Sequence, residues 1–369
     1  MKYYILAGEA SGDLHGSNLI KELKLRDAEA QVRCWGGDLM QAQGAELVKH
    51  YRDLAFMGFV EVLINIKTIL TNINFCKKDI LQYQPDVLIL IDYPGFNLRI
   101  AEFAKKNKLL VYYYISPQIW AWKQSRVYKI KQCVNHMFVI LPFEKEFYKK
   151  FQYDVDFVGH PLLDAIDNYR QEAYNHSEAT KKIVALLPGS RKQEVKQSLP
   201  LMLKMCSKFP DVQFCIAAAP SLSAEFYSSF IGNSQVKIVY NETYSLLQRA
   251  NAALVTSGTA TLETALFGVP EAVCYKGSKI SYWIARQLIK VKYISLVNLI
   301  MDRLVVTELI QDDFNEAQLE TELQTLLYNE QRKLALKKDF MELKSKLGGA
   351  GASAKTADLM IQYLKQNAQ

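Results

Sequence analysis

Residues 85–92 read PDVLILID. Five aliphatic side chains in a row, Val87 to Ile91, end on Asp92. A strand with one wet face alternates apolar and polar residues; an unbroken apolar run is what a strand covered on both faces requires. Pro94 and Gly95 then turn the chain, and a longer helical pattern follows. The same design surrounds this segment. KYYILAG (2–8), QVRCWGG (31–37), LLVYYYIS (109–116) and MFVILPFE (137–144) are further apolar runs. LHGSNLIKELKLR (14–26) and a short segment around Met40 supply helices between them. This strand–helix rhythm predicts an α/β domain with a doubly wound parallel sheet.

A second series begins at KIVALLPGS (182–190) and continues through VQFCIAAAP (212–220), VKIVY (236–240) and AALVTSGT (252–259). The polar stretch DNYRQEAYNHSEATKK (167–182) has no apolar period and reads as a linker. Residues 319–347 are helical in pattern, GGAGAS (348–353) interrupts, and AKTADLMIQYLKQ (354–366) forms a last helix. Two Rossmann-like domains are expected, over residues 1–166 and 183–347, with 352–369 as a terminal helix.

The chain has 369 residues, half of them hydrophobic and 22% charged, which excludes a disordered polymer. Its length allows two domains that each bury a core without staples. The six cysteines form no CxxC pair and no zinc-spaced cluster, so they read as reduced core residues of a cytosolic protein, with no metal site. The apolar stretch at the amino terminus, about six residues, is too short for a secretory signal. No run reaches the 18 or so apolar residues of a membrane span.

Four loops carry candidate chemistry. Gly8-Glu9-Ala10-Ser11-Gly12-Asp13 follows a strand and opens a helix, so Gly8, Ser11, Gly12 and Asp13 are candidate ligand contacts. The glycines lack the GxGxxG spacing of a dinucleotide site. The same residues would also make a tight turn with Asp13 as a cap. Asp92 ends a buried strand at the edge where open α/β sheets bind ligands; a carboxylate there can act as a general base, and Asn97 can add a hydrogen bond. Helix capping is the other use of such an Asp. Pro188-Gly189-Ser190-Arg191 departs from the P-loop spacing, yet Gly189, Ser190 and Arg191 at a helix start suit an anion, with Arg191 facing a leaving diphosphate. Ser257, Gly258 and Thr259 open another helix and could hold a phosphate, with Glu263 one turn in for ribose hydroxyls. A capping box uses the same residue types.

Charge and apolarity are uneven. From Phe103 to Phe143 there are seven Lys or Arg and no acid; from Ala272 to Met301 there are five and none. Tyr112, Tyr113, Tyr114, Trp120 and Trp122 fall in the first window, and Tyr275, Tyr282, Trp283 and Tyr293 in the second. Such stretches suit phosphates, nucleic acid or an anionic membrane surface. Residues 56–75, FMGFVEVLINIKTILTNINF, hold only Glu61 and Lys67 as charges, an apolar surface wider than a core stripe and suited to acyl chains or a bilayer.

Taken in order, GEASGD (8–13), MGFVEVL (57–63), IDYPGFN (91–97), YYISPQIWAWKQSR (113–126), LPFEKEFY (141–148), VGHPL (158–162), LLPGSR (186–191), SGTATLE (257–263) and SLVNL (295–299) resemble the lipid-A-disaccharide synthase family over essentially the whole chain. The resemblance implies a GT-B fold: two Rossmann-like parallel-sheet domains facing a cleft, with the last helix crossing back to the first domain. It implies an inverting transfer from UDP-2,3-diacylglucosamine to 2,3-diacylglucosamine 1-phosphate, giving a β-1,6 disaccharide 1-phosphate and UDP, without a cofactor. Asp92 matches the family's essential aspartate and Arg191 its essential arginine. Asn298 matches an asparagine at the cleft, and Ser257, Gly258, Thr259 and Glu263 match the donor loop. The resemblance places the donor in the second domain, the acyl chains and acceptor in the first, and the enzyme peripherally on the cytoplasmic face of the inner membrane. It also brings homodimers that exchange C-terminal segments. One departure is Thr307 in VVTELIQ (305–311), where relatives commonly carry Pro before Glu.

A UDP-sugar epimerase of the same fold is the alternative, but it has no use for the apolar stretch 56–75. A nicotinamide dehydrogenase is disfavoured by the missing GxGxxG, and a nucleic-acid-binding module by the lack of any such signature.

Overall fold

A computed structural model describes residues 1–54, 66–172, 181–232, 235–256, 258–277 and 291–367. The chain divides into two compact units, Met1–Asp164 with Leu347–Gln369, and Ala165–Lys346.

The first unit holds a seven-stranded parallel sheet: β1 (Lys2–Ala7), β2 (Gln31–Gly36), β3 (Glu46–His50), β4 (Val87–Ile91), β5 (Leu110–Tyr114), β6 (His136–Val139) and β7 (Asp156–Phe157). Their order is β3-β2-β1-β4-β5-β6-β7. The β4 run PDVLILID does what its apolarity demands: Val87 to Ile91 are all 1% exposed or less. Each such side chain contributes roughly 1.5–3 kcal/mol relative to exposure. Ala7 of β1 lies in register with Ile91 of β4, so the loops after both strands emerge side by side.

The terminal helix, Ala352–Asn367, packs against helix Ala10–Arg26 of this unit. Arg26 grips it with a forked ion pair, Nε to Asp358 Oδ1 at 2.6 Å and Nη2 to Oδ2 at 3.1 Å. Asp164 caps its start, accepting from the Gly351 and Ser353 amides at 2.5 and 3.0 Å. The chain reaches this position through Gly348, Gly349 and Gly351, all at positive φ, so the GGAGAS break is a change of direction that only glycine makes at low cost.

The second unit repeats the plan with β8 (Ile183–Leu187), β9 (Gln213–Ala218), β10 (Val236–Tyr240), β11 (Ala252–Thr256), β12 (Glu271–Tyr275) and β13 (Thr307–Ile310), in the order β10-β9-β8-β11-β12-β13. All pairings are parallel.

Local differences from the sequence reading have physical causes. β3 and β7 lie at or beside a sheet edge and are only half-buried, so they lack a continuous apolar signature. The stretch expected as linker begins as helix: Leu162–Glu172 runs into it, with Leu162, Leu163 and Ile166 buried. Residues 319–347 form two helices, Glu316–Tyr328 and Glu330–Lys346, parted at Asn329. MFVILPFE ends early as a strand because Pro142 opens a helix, Pro142–Lys149. All six cysteines are free thiols, five of them buried.

Candidate active site

In both sheets the strand order reverses at one place, between β1 and β4 and between β8 and β11. Open α/β sheets bind ligands outside the carboxyl ends of the strands at that reversal, because the two flanking loops diverge and leave a crevice. All four candidate loops fall there. GEASGD follows β1, Asp92 follows β4, Pro188–Arg191 follows β8 and Gly258–Thr259 follows β11.

At the first reversal, Asp92 and Tyr93 both adopt left-handed backbone, with φ of 42° and 48°. Burial pushes the Asp92 carboxyl up to about 7, and the negative Glu9 on the adjacent loop adds to the rise. Tyr93 stacks on Phe96 and lies over Gly8, where a Cβ would sit 2.4 Å from its ring. Any side chain at Gly8 would therefore displace the Tyr93 ring. Gly12 faces Ala7 less closely, a Cβ there lying 3.0 Å from the Ala7 Cβ, while Ser11 is exposed on the first turn of the helix.

Two residues read from the sequence as ligand contacts are engaged elsewhere. Asp13 is buried, and its carboxylate accepts from Gly37, Leu39 and Met40 amides at 2.8, 3.1 and 3.0 Å. It caps the short helix Asp38–Ala42 across the sheet, not its own helix. Asn97 is fully buried, and its Nδ2 donates to the carbonyls of Ile91 at 3.1 Å and Asp92 at 2.7 Å. It braces the end of β4.

At the second reversal, Gly189 has φ of 108° and Arg191 is the residue before helix Lys192–Lys208. Glu194 turns back over them. Its Oε2 accepts from the Ser190 and Arg191 amides at 3.1 and 3.2 Å, and its Oε1 meets Arg191 Nη1 at 3.3 Å. An internal carboxylate thus stands on the amides that an anion would use. Arg191 itself is largely exposed, at 65%. Gly258 (φ 144°) and the exposed Thr259 open helix Thr259–Leu266, which has no side-chain cap among the described residues. Glu263 receives the Tyr244 hydroxyl at 3.1 Å, and burial raises its carboxyl above the usual range. Ser257 lies outside the described residues.

Asn298 is also fully buried and fully bonded. Its Oδ1 accepts from Val305 and Val306 amides at 2.8 and 2.9 Å; its Nδ2 donates to the Val306 carbonyl and to Glu308, both at 2.9 Å. It braces the entry to β13 and not the loops leaving β8 and β11. Glu308 completes the brace by accepting from the Ile294 and Ser295 amides. Thr307, at the family departure, pairs with Ala272 as an ordinary strand residue.

The basic aromatic window resolves into two populations. Tyr112, Tyr113, Tyr114 and Trp120 are core. Trp122 and Tyr128 are exposed, with Lys123 and Arg126 over the Trp122 ring at 4.8 and 5.3 Å. Tyr282 and Trp283 lie outside the described residues, as do residues 56–65 of the apolar stretch. From the remainder, Leu70 and Phe75 are exposed and Ile73 is buried. Among the described residues no helix is long and apolar enough to cross a membrane, and no three His, Cys, Asp or Glu side chains gather as a metal needs.

Sequence reasoning missed Glu194, Glu308 and Tyr113, the last of which bonds the Asp92 carbonyl. Glu194 carried a signal, three residues past Arg191 at capping-box spacing.

Two all-parallel Rossmann-like units, each with its reversal flanked by glycine-bearing loops, define the GT-B class of glycosyltransferases and sugar-nucleotide epimerases. Solved structures agree in fold. UDP-GlcNAc 2-epimerase from Neisseria meningitidis bound to UDP-GlcNAc superposes with a TM-score of 0.69 at 12% identity, covering 98% of this chain and all of that one. The glycotransferase of kitacinnamycin gives 0.68 at 13%, covering 98% and 99%. Within that class the sequence decides. The family model for lipid-A-disaccharide synthetase matches residues 3–362. Lipid-A-disaccharide synthases of Syntrophus aciditrophicus and Trichlorobacter lovleyi are 40% and 38% identical, over 98% of this chain and 98% and 97% of theirs. The chain belongs to the lipid-A-disaccharide synthase family and is a glycosyltransferase.

Proposed function

We propose that the enzyme transfers the diacylglucosaminyl group of UDP-2,3-diacylglucosamine to the 6-hydroxyl of 2,3-diacylglucosamine 1-phosphate, in a single displacement with inversion. Asp92 takes the proton from the 6-hydroxyl as its oxygen bonds to the donor anomeric carbon. The bond from that carbon to the diphosphate oxygen breaks, and UDP leaves with the electron pair. Arg191 offsets the charge gathering on the leaving diphosphate, Gly258 and Thr259 present backbone donors to the phosphates, and Glu263 takes the ribose hydroxyls. Asp13, Asn97 and Asn298 hold the loops in place.

The observation that carries the reading is Asp92 itself: a carboxyl at a strand reversal whose pKa is raised to about 7 is tuned for general-base work near neutral pH. We assign the acceptor and acyl chains to the first unit and the donor to the second. The exposed Trp122, Lys123 and Tyr128, with the half-buried Arg126 beside them, would rest on an anionic bilayer at the cytoplasmic face of the inner membrane. Sedimentation with anionic vesicles, lost in high salt, tests that placement; salt-indifferent failure to bind removes it.

The catalytic reading is tested by UDP release in detergent, on wild type and Asp92→Ala. UDP formed only with both lipids and lost in a folded Asp92→Ala supports it. Full activity in the variant removes Asp92 as the base. Epimerised donor without disaccharide moves the enzyme to the epimerase reading.

A further inference from the structure

The backbone at Asp92 is held in an unusual state by two buried donors. Asp92 and Tyr93 are consecutive non-glycine residues with left-handed backbone, which costs energy at each and persists only where the surroundings over-determine it. Here the surroundings converge on one atom, the Asp92 carbonyl oxygen. The Tyr113 hydroxyl donates to it at 2.5 Å and Asn97 Nδ2 at 2.7 Å. Tyr113 is fully buried on β5, where it pairs in register with Leu90 and its neighbour Tyr114 with Ile91. The Tyr114 carbonyl accepts the Asp92 amide at 3.3 Å, so both ends of the Asp92 peptide are tied to the same short stretch of β5. On the far side, Tyr93 is fixed by its ring against Gly8 and its hydroxyl on the Leu54 carbonyl at 3.3 Å.

We infer that Tyr113 is a positioning residue for the glycosyl transfer: its buried hydroxyl holds the Asp92 carbonyl, and through that carbonyl fixes the direction in which the Asp92 carboxylate leaves the end of β4. The inference rests on the reading of Asp92 as the base. Tyr113 touches no substrate. It acts because rotation about the Asp92 backbone dihedrals would swing the carboxylate by ångströms, and displacements of that size at a reacting group cost about a hundredfold in rate. A phenylalanine fills the same volume in β5 and removes only the donor.

The test compares wild type with Tyr113→Phe, Asp92→Asn and the double variant, as full-length protein in detergent with both lipid substrates. Tyr113→Phe is expected to lose about 10- to 100-fold in kcat, with KM for donor and acceptor within about twofold of wild type. The double variant is expected to be no slower than Asp92→Asn alone, because with the base gone there is nothing left to position. A purely structural role would not give that non-additivity. Wild-type kcat in Tyr113→Phe beside a crippled Asp92→Asn overturns the inference and leaves the base reading intact. So does a further tenfold loss in the double variant. Wild-type activity in Asp92→Asn overturns the base reading, and the inference with it. Should Tyr113→Phe melt far below wild type, Asn97→Ser withdraws the second donor from the same carbonyl; unchanged kcat in that variant overturns the inference as well.

Discussion

Glu194 closes back on Arg191 twice, Oε2 accepting its amide at 3.2 Å and Oε1 meeting its guanidinium at 3.3 Å. The carboxylate stands on donors that a diphosphate would also seek, so the two anions compete. Glu194→Gln keeps an acceptor and removes the repulsion. At an exposed, screened site the gain is about 0.6 kcal/mol, or roughly threefold in donor KM, with kcat unchanged. A rise in donor KM would show that Glu194 aids binding instead. Gly189→Ala places a Cβ 2.7 Å from the Glu194 Cβ at positive φ, and should cost donor affinity and stability together.

Asp13 and Asn298 separate scaffold from substrate contact. Asp13→Ala leaves three amides of the Gly37–Met40 turn without their acceptor, and Asn298→Ala leaves the Val305 and Val306 amides bare. Each should cost about 2 kcal/mol or more, lowering Tm by roughly 4–8 °C. KM should follow only through folding. A raised KM at unchanged Tm would return either residue to the substrate.

The Asp92 carboxyl, raised to about 7 by burial and by Glu9, acts as base only when ionised. The kcat/KM profile should therefore fall as pH drops through about 7. Glu9→Gln removes a like charge, which eases ionisation of Asp92, so the acid limb should move to lower pH. A limb unmoved by Glu9→Gln and still present in Asp92→Asn belongs to another group.

Glu271 opens β12 fully buried, and neither carboxyl oxygen has a hydrogen-bond partner among the described residues. Burial raises its pKa well above the usual carboxylate range. The sign follows from linkage: the unfolded chain ionises Glu271 near pH 4.5 while the folded chain keeps it protonated, so stability falls as pH rises above that value. Glu271→Met should raise Tm and flatten this alkaline loss, by about 1–3 kcal/mol near pH 8. A lower Tm would mean the carboxyl has a partner that matters.

What was legible in the sequence was whatever burial on both faces writes into it. Val87–Ile91 and Ile183–Leu187 are central strands and read at sight. The half-buried Glu46–His50 and the polar-headed Glu271–Tyr275 do not. Loop glycines marked the two strand reversals, because turns need them. The partners of single polar side chains stayed hidden: Asn97 and Asn298 look like ligand contacts in sequence, and only the fold brings backbone carbonyls and amides to them. Tyr113 was invisible for the converse reason, a tyrosine among core aromatics whose one hydroxyl bond crosses to the next strand.

The most direct measurement is the anomeric configuration of the product formed from UDP-2,3-diacylglucosamine and 2,3-diacylglucosamine 1-phosphate, with UDP counted alongside. A single displacement through Asp92 requires a β-linked disaccharide and one UDP per linkage, and neither without both lipids. An α linkage, UDP released without acceptor, or a donor changed in configuration but not transferred would contradict it.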